Sequence, residues 1–181
     1  MMRRPPDGAN RESRDLRRSV AERKGPGKPG SATSSLDELV EEVNRQILSD
    51  MRRFYSPQVV ERLHDPRNPG PMREANGHAR ITGPCGDTME IWLRIDERRV
   101  ARATFMTNGC GPTIACGSMA TELATGRSTD EAATVEQQDI LDALGGLPEA
   151  SRHCALLAAS ALKGAVLDYL QRGRATGENE G

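Results

Sequence analysis

Apolar residues recur along this chain with two periods, and the changes of period mark out its elements. Leu36, Leu39, Val40, Val43, Ile47 and Met51 fall at helical spacing. Ser35 precedes them as a good N-cap. Glu38, Glu41 and Glu42 lie early and Arg52 and Arg53 late, which suits the helix dipole. The pattern predicts a helix over residues 36–53, free to pack on the rest of the chain, self-associate or bind a partner. A second, shorter helix is predicted over residues 57–64, capped by Ser56. Asp65-Pro66-Arg67-Asn68-Pro69-Gly70-Pro71 then stops it, and its prolines and glycine read as a rigid turn rather than an element.

The period next shortens to two. Residues 78–82 form a short strand-like run. Met89, Ile91, Leu93 and Ile95 share one face of a second run, and residues 100–107 alternate as a third. Asp96-Glu97-Arg98-Arg99 joins the last two as a hairpin loop. The expected sheet is antiparallel, with helices on one face and Trp92 on the other. The helical period returns at Pro112. Ala115, Met119 and Leu123 make one stripe of a helix over residues 112–125. Cys116, Ala120 and Ala124 make a small-residue stripe beside it. Short helices are predicted over residues 130–134, capped by Ser128 or Thr129, and over residues 138–144, stopped by Gly145-Gly146. A last helix is predicted over residues 152–171, with Ser151 as N-cap and Gly173 as stop.

Composition adds boundaries. A chain of 181 residues suits one domain with an extension. The formal net charge of −1 hides an asymmetry, because residues 1–35 carry nine basic against four acidic side chains. That stretch is rich in Arg, Pro, Gly and Ser, and it is read as a disordered basic tail. It could serve as a solvated tail or as a basic arm for an acidic partner. A transit peptide fits it less well, since Asp7, Glu12, Asp15 and Glu22 interrupt it. Residues 173–181 are read as a polar C-terminal tail. No apolar run reaches the roughly 18 residues of a membrane span, so no membrane association is expected. Aromatic residues are only 3% of the chain, which leaves few stacking platforms for single-stranded nucleic acid. Four cysteines without framework spacing point to a reducing compartment, and a cytoplasmic protein is expected.

Three of those cysteines stand at element ends. In Asn108-Gly109-Cys110-Gly111-Pro112 a thiol lies between two glycines, after a strand and before a proline that can open a helix. Glycine takes positive φ freely, so both glycines are expected to turn the backbone sharply around the sulfur. In Pro84-Cys85-Gly86-Asp87, an extended backbone would point Cys85 and Asp87 the same way. In Ser151-Arg152-His153-Cys154, the start of the last helix would lower the thiol pKa. Each alone also reads as an ordinary structural cysteine. Together they supply three thiols, a carboxylate and an imidazole, a donor set suited to tetrahedral zinc or to iron in a cluster.

Several motifs, in order, resemble the IscU/NifU family of iron–sulfur cluster assembly scaffolds. They are Tyr55-Ser56-Pro57 through Pro66-Arg67-Asn68-Pro69-Gly70, Cys85-Gly86-Asp87, Asn108-Gly109-Cys110-Gly111, Leu147-Pro148 and His153-Cys154. The resemblance implies an α+β fold with a three-stranded antiparallel sheet packed against several helices, over residues 54–172. Residues 36–53 would then be an additional N-terminal helix. It implies a scaffold rather than an enzyme. A cysteine desulfurase would deliver persulfide sulfur to Cys110, Cys154 or Cys85, iron would be added with or without a frataxin-like donor, and a transient 2Fe–2S cluster would pass to apo acceptor proteins. Cys85, Cys110 and Cys154 become the ligands, with Asp87 or His153 as the fourth. The same residues are implied as a zinc site. The cluster could sit in a monomer or a homodimer. A four-cysteine site would hold its cluster permanently, so a carboxylate or imidazole in the fourth place favours release.

The chain departs from the family pattern at three places. Leu147-Pro148-Glu149-Ala150-Ser151 replaces the usual chaperone-recognition segment, Cys116 stands where the better known scaffolds carry Ser, and the N-terminal extension has no counterpart. Cys116 reads as a small packing residue or as an extra thiol for sulfur relay. The alternative function is a zinc-bound SufU-like sulfurtransferase that accepts persulfide sulfur. A nucleic-acid or protein adaptor working through the basic tail is a third class.

Overall fold

Six α-helices and three strands are found in the computed structural model, which describes residues 32–177, with side chains from 35 to 174. The expected disordered tail lies outside the described residues as far as position 31, as does the end of the expected C-terminal tail from 178. The chain divides into two units between Val43 and Asn44. The described part of the first unit is the opening of helix α1 (Ala32–Met51), where Leu36, Leu39, Val40 and Val43 are exposed. The helix starts earlier than expected, so Ser35 lies inside it instead of capping it. Ala32 is a strong helix former, and nothing in the next three residues breaks a helix.

The second unit opens with the rest of α1, whose Ile47, Leu48 and Met51 line a groove with Val60, Leu63 and His64 of α2 (Pro57–His64). Ser56 caps α2 as predicted, accepting a hydrogen bond from the Val59 N–H at 3.2 Å. Its hydroxyl also donates to the Leu144 carbonyl. The proline-rich turn that follows does more than turn. Gly70 N–H donates to the Phe105 carbonyl and Phe105 N–H to the Asn68 carbonyl, a short parallel bridge to the third strand.

Strands β1 (Gly77–Thr82), β2 (Thr88–Asp96) and β3 (Arg99–Thr107) pair antiparallel in that order. Met89, Ile91, Leu93 and Ile95 face inward, each at most 2% exposed, as their alternation predicts. Trp92 lies on the opposite face, its ring stacked on His78 at 5.0 Å. The β2–β3 turn contains only Glu97 and Arg98, at φ 50° and 61°, the left-handed pair of a tight hairpin turn. Strict alternation fails on β3. Arg94 pairs with Arg102 but Ile95 pairs with Val100, which leaves Ala101 as a bulge. The extra residue lets Val100 and Ala103, three apart, both face the core.

Helix α3 (Gly111–Ala124) packs on β3, and α6 (Arg152–Gly177) packs across β1 and β2. The latter approach is close. A Cβ on Gly77 would lie 2.6 Å from the Ala165 carbonyl oxygen, and one on Gly164 would lie 2.9 Å from the Ala79 Cβ. Between them, α4 (Thr129–Ala133) is capped by Ser128 in a capping box with Glu131, and α5 (Gln137–Leu144) ends at Gly145 with φ 73°. Ser151 does not cap the last helix. It belongs to a 3₁₀ turn, Glu149–Ser151, that leads straight into α6. The helix also runs through Gly173 to Gly177, past the expected stop. By length and composition alone α6 could cross a membrane, although no such run was expected, but half of that stretch is buried inside the protein. Cys154, Ala155, Leu157, Ala158, Leu162 and Val166 are its core residues.

Candidate functional site

The cysteine-bearing segments meet where the β1–β2 turn, the β3–α3 corner and the start of α6 come together. The turn closes through Gly86 N–H to the Gly83 carbonyl at 3.0 Å and Gly83 N–H to the Asp87 carbonyl at 2.8 Å. Pro84 presets its second position, and Gly86 takes φ 85°, where a side chain is strained. The segment is therefore a tight turn and not extended, so the argument that put Cys85 and Asp87 on one strand face does not hold. Cys85 is exposed on the turn, and Asp87 is half-buried at its base.

The end of β3 ties that turn down. Asn108 Oδ1 accepts from the Thr88 N–H at 2.7 Å, and Thr107 Oγ1 donates to the Thr88 carbonyl at 2.7 Å. Cys110 then occupies the N-cap position of α3 with an extended backbone and no side-chain cap bond. Its sulfur is exposed and is not used up in capping. Gly109 and Gly111 are not among the residues with positive φ, contrary to expectation. What they provide is the absence of a Cβ. One on Gly109 would lie 2.6 Å from Asp87 Oδ2 and 2.7 Å from Thr113 Cβ, and one on Gly111 would lie 2.7 Å from a Leu63 methyl.

Thr113, a fully buried residue in the first turn of α3 that the sequence reading did not single out, is the hub. Its hydroxyl oxygen lies 2.9 Å from Asp87 Oδ2, 3.3 Å from Cys154 Sγ and 3.5 Å from Cys110 Sγ. Three of the five expected donors thus touch one hydroxyl. His153 is exposed, and its Nε2 lies 3.7 Å from Cys154 Sγ. Cys85 completes the set electrostatically, since its thiol, like that of Cys110, opposes ionisation of Cys154.

Cys154 corrects another expectation. Its thiol is pushed up to about 11, chiefly by burial, against the lowering effect of the Thr113 hydrogen bond. At 1% exposure, desolvation is the largest influence on this thiol. Cys116 is fully buried behind the site, and burial raises its pKa still further. Its placement is that of a packing residue. Among the described residues, no three His, Cys, Asp or Glu side chains are arranged to grip a single metal ion. The donors instead surround a shared hydroxyl, with soft sulfur on several sides and one carboxylate.

Known proteins resemble this chain in sequence and in fold. The family model of the NifU-like N terminal domain matches residues 54–176. The iron–sulfur cluster assembly scaffold protein IscU 1 of Archaeoglobus fulgidus is 40% identical over 120 residues, covering 66% of this chain and 78% of that protein. The IscU scaffold protein of Escherichia coli K12 is 38% identical over 120 residues, covering 64% of this chain and 93% of its own. Among solved structures, the N-terminal part of a nitrogen-fixing NifU-like protein from Brucella abortus superimposes with a TM-score of 0.52 at 18% identity, over 64% of this chain and 94% of that one. A SufU protein of the SUF system from Fervidobacterium islandicum gives 0.51 at 17% identity, over 62% of this chain and 96% of that one. These two likenesses concern the fold, the α+β arrangement of a three-stranded antiparallel sheet and helices. By its matched length, its donor-bearing segments and its fold, the chain belongs to the NifU-like N-terminal domain family.

Proposed function

We propose that this protein is a scaffold for iron–sulfur cluster assembly. It takes sulfur from a cysteine desulfurase, combines it with iron on Cys85, Cys110 and Cys154 with Asp87 or His153 as the fourth ligand, and passes a labile 2Fe–2S cluster to acceptor apoproteins. The observation that carries this reading is the convergence of Asp87, Cys110 and Cys154, from three separate elements, on the Thr113 hydroxyl. Membership of the family and relatives named as IscU scaffolds support it. The cluster is the cargo here, not a resident cofactor.

The chemistry follows from exposure. Cys85 and Cys110 are open to a partner, whereas Cys154 is buried. An open thiolate attacks the outer sulfur of the desulfurase persulfide, a new S–S bond forms, and the desulfurase cysteine leaves as thiolate. Two electrons from a donor outside this chain convert each transferred sulfur to sulfide. Iron, bound by the thiolates, then takes up that sulfide. Asp87, a hard ligand among soft ones, keeps the product exchangeable. Replacing it, Asp87→Ala, is expected to lengthen cluster lifetime and slow transfer to an apo-ferredoxin, followed by visible circular dichroism. Release at the wild-type rate would remove Asp87 from the mechanism.

The test of the function itself is iron, zinc and acid-labile sulfide analysis of anaerobically purified and reconstituted protein, wild type against Cys116→Ser. Brown protein with iron and sulfide in equal amounts, unchanged by the substitution, is expected. Colourless protein holding a tight zinc and accepting sulfur from the desulfurase would instead favour the SufU-like sulfurtransferase.

A further inference from the structure

We propose that Thr113 is the positioning residue that decides when Asp87 is offered to the cargo, a role that rests on the scaffold reading above. A threonine hydroxyl carries one proton. Two acceptors lie within its reach, Asp87 Oδ2 at 2.9 Å and Cys154 Sγ at 3.3 Å, and only one can be served at a time. The oxygen itself is fixed. Thr113 is fully buried, and the Gly109 backbone sits so close that an added Cβ would lie 2.7 Å from its Cβ and Cγ2, which leaves the side chain little room to change rotamer. The mobile part is the O–H, which rotates about the Cβ–Oγ1 bond without making or breaking any covalent bond.

With the site empty, the carboxylate is the better acceptor, because a bond to an ionised oxygen is charge-assisted. Asp87 is then held back by the hydroxyl. When iron binds Cys154, the sulfur carries thiolate charge and competes for the same proton. The hydroxyl turns to it, and Asp87 Oδ2 is released toward the metal. Cys110 Sγ, at 3.5 Å, can donate its own S–H to the threonine oxygen while it is unmetallated, which reinforces the empty-site arrangement.

The probe is Co(II), titrated anaerobically into the full-length apoprotein and read by its sulfur charge-transfer and ligand-field absorption. The variants are Thr113→Val, Thr113→Ala and Thr113→Ser, each with and without Asp87→Ala, and thermal unfolding of each reports the fold. Freed of the hydroxyl, Asp87 no longer breaks a hydrogen bond in order to ligate. Val and Ala lose the bond to Asp87 in the empty site and the weaker one to the Cys154 thiolate in the loaded site, so they are expected to bind Co(II) about threefold more tightly, and Ser to match wild type. On the Asp87→Ala background the gain should disappear and reverse, because only the hydroxyl's bond to the Cys154 thiolate is then lost. Equal affinities in wild type and Thr113→Val, a Val gain that survives Asp87→Ala, or Co(II) binding indifferent to Asp87 would each overturn the proposal. A wild type that binds Co(II) through Asp87 yet never accumulates iron and sulfide would sink the scaffold reading instead, and the cobalt cycle would still judge Thr113.

Discussion

At the scale of single residues, two glycines flank the same cysteine and do different jobs. A Cβ on Gly109 would meet Asp87 Oδ2 at 2.6 Å and Thr113 Cβ and Cγ2 at 2.7 Å, groups locked into the site. A Cβ on Gly111 would meet the end of the Leu63 side chain at 2.7 Å, and its next contacts are 3.7 Å and beyond. Leu63 is partly buried and can swing a methyl away. Gly109→Ala is thus expected to cost about 1–3 kcal/mol in stability, as overpacking does, and to weaken Co(II) binding. Gly111→Ala should stay within about 1 kcal/mol of wild type, since alanine also favours the helix it opens. Urea unfolding of the pair checks this, and equal losses would mean that the crowding around Asp87 and Thr113 does not constrain the site. The glycines and the cysteines were legible in the sequence, but their reason was not. Spacing suggests turns, whereas close approach depends on what the fold brings from positions 63, 87 and 113. Thr113 escaped notice for the same reason, as its contacts with Asp87 and Cys154 span 26 and 41 residues.

At the scale of elements, Glu122 on α3 joins α2 to the proline-rich turn. Arg62 donates to it from Nε at 2.8 Å and from Nη2 at 3.0 Å, and Arg67 donates from Nη1 at 2.8 Å. Burial pushes the Glu122 carboxyl up, but the two guanidinium groups outweigh it and hold its pKa below the ordinary glutamate value. A carboxylate depressed on folding contributes stability above its unfolded pKa and loses it as pH falls through the folded value. Glu122→Gln leaves Arg62, 7% exposed, with only the long 4.0 Å pair to Glu61 as counter-charge. It is expected to cost about 3 kcal/mol at neutral pH. The gap to wild type should narrow as pH falls below the ordinary glutamate range and through the depressed value of Glu122. Urea titrations across that range measure it, and a gap independent of pH would assign the loss to packing. Periodicity foretold the order of helices and strands here, because the inward positions of β2 and the stripes of α3, apart from the half-buried Leu123, really are buried. It could not foretell the bulge at Ala101, which exists only once β2 and β3 are paired. Nor could it weigh desolvation of Cys154 against a helix start, because both act on the same thiol and only burial decides between them.

For the whole molecule, the family match begins at residue 54 and the second compact unit at Asn44, while every donor of the site lies beyond residue 84. Of the 43 residues ahead of that unit, the first 35 carry nine basic against four acidic side chains, and α1 adds the exposed Leu36, Leu39, Val40 and Val43. An apolar stripe on one helix and a basic stretch before it are means of association, not of cluster chemistry. Removing residues 1–43 is therefore expected to change unfolding free energy by no more than about 0.5 kcal/mol, as for changes remote from a core. Iron and sulfide uptake should be unchanged. What should change is association: apparent mass on gel filtration if the stripe pairs copies of the chain, or salt-sensitive retention on a polyanion column if the basic stretch holds a partner. Loss of cluster loading in the shortened chain, with its fold intact by circular dichroism, would bring the extension into the assembly chemistry itself and place part of the working site outside the matched domain.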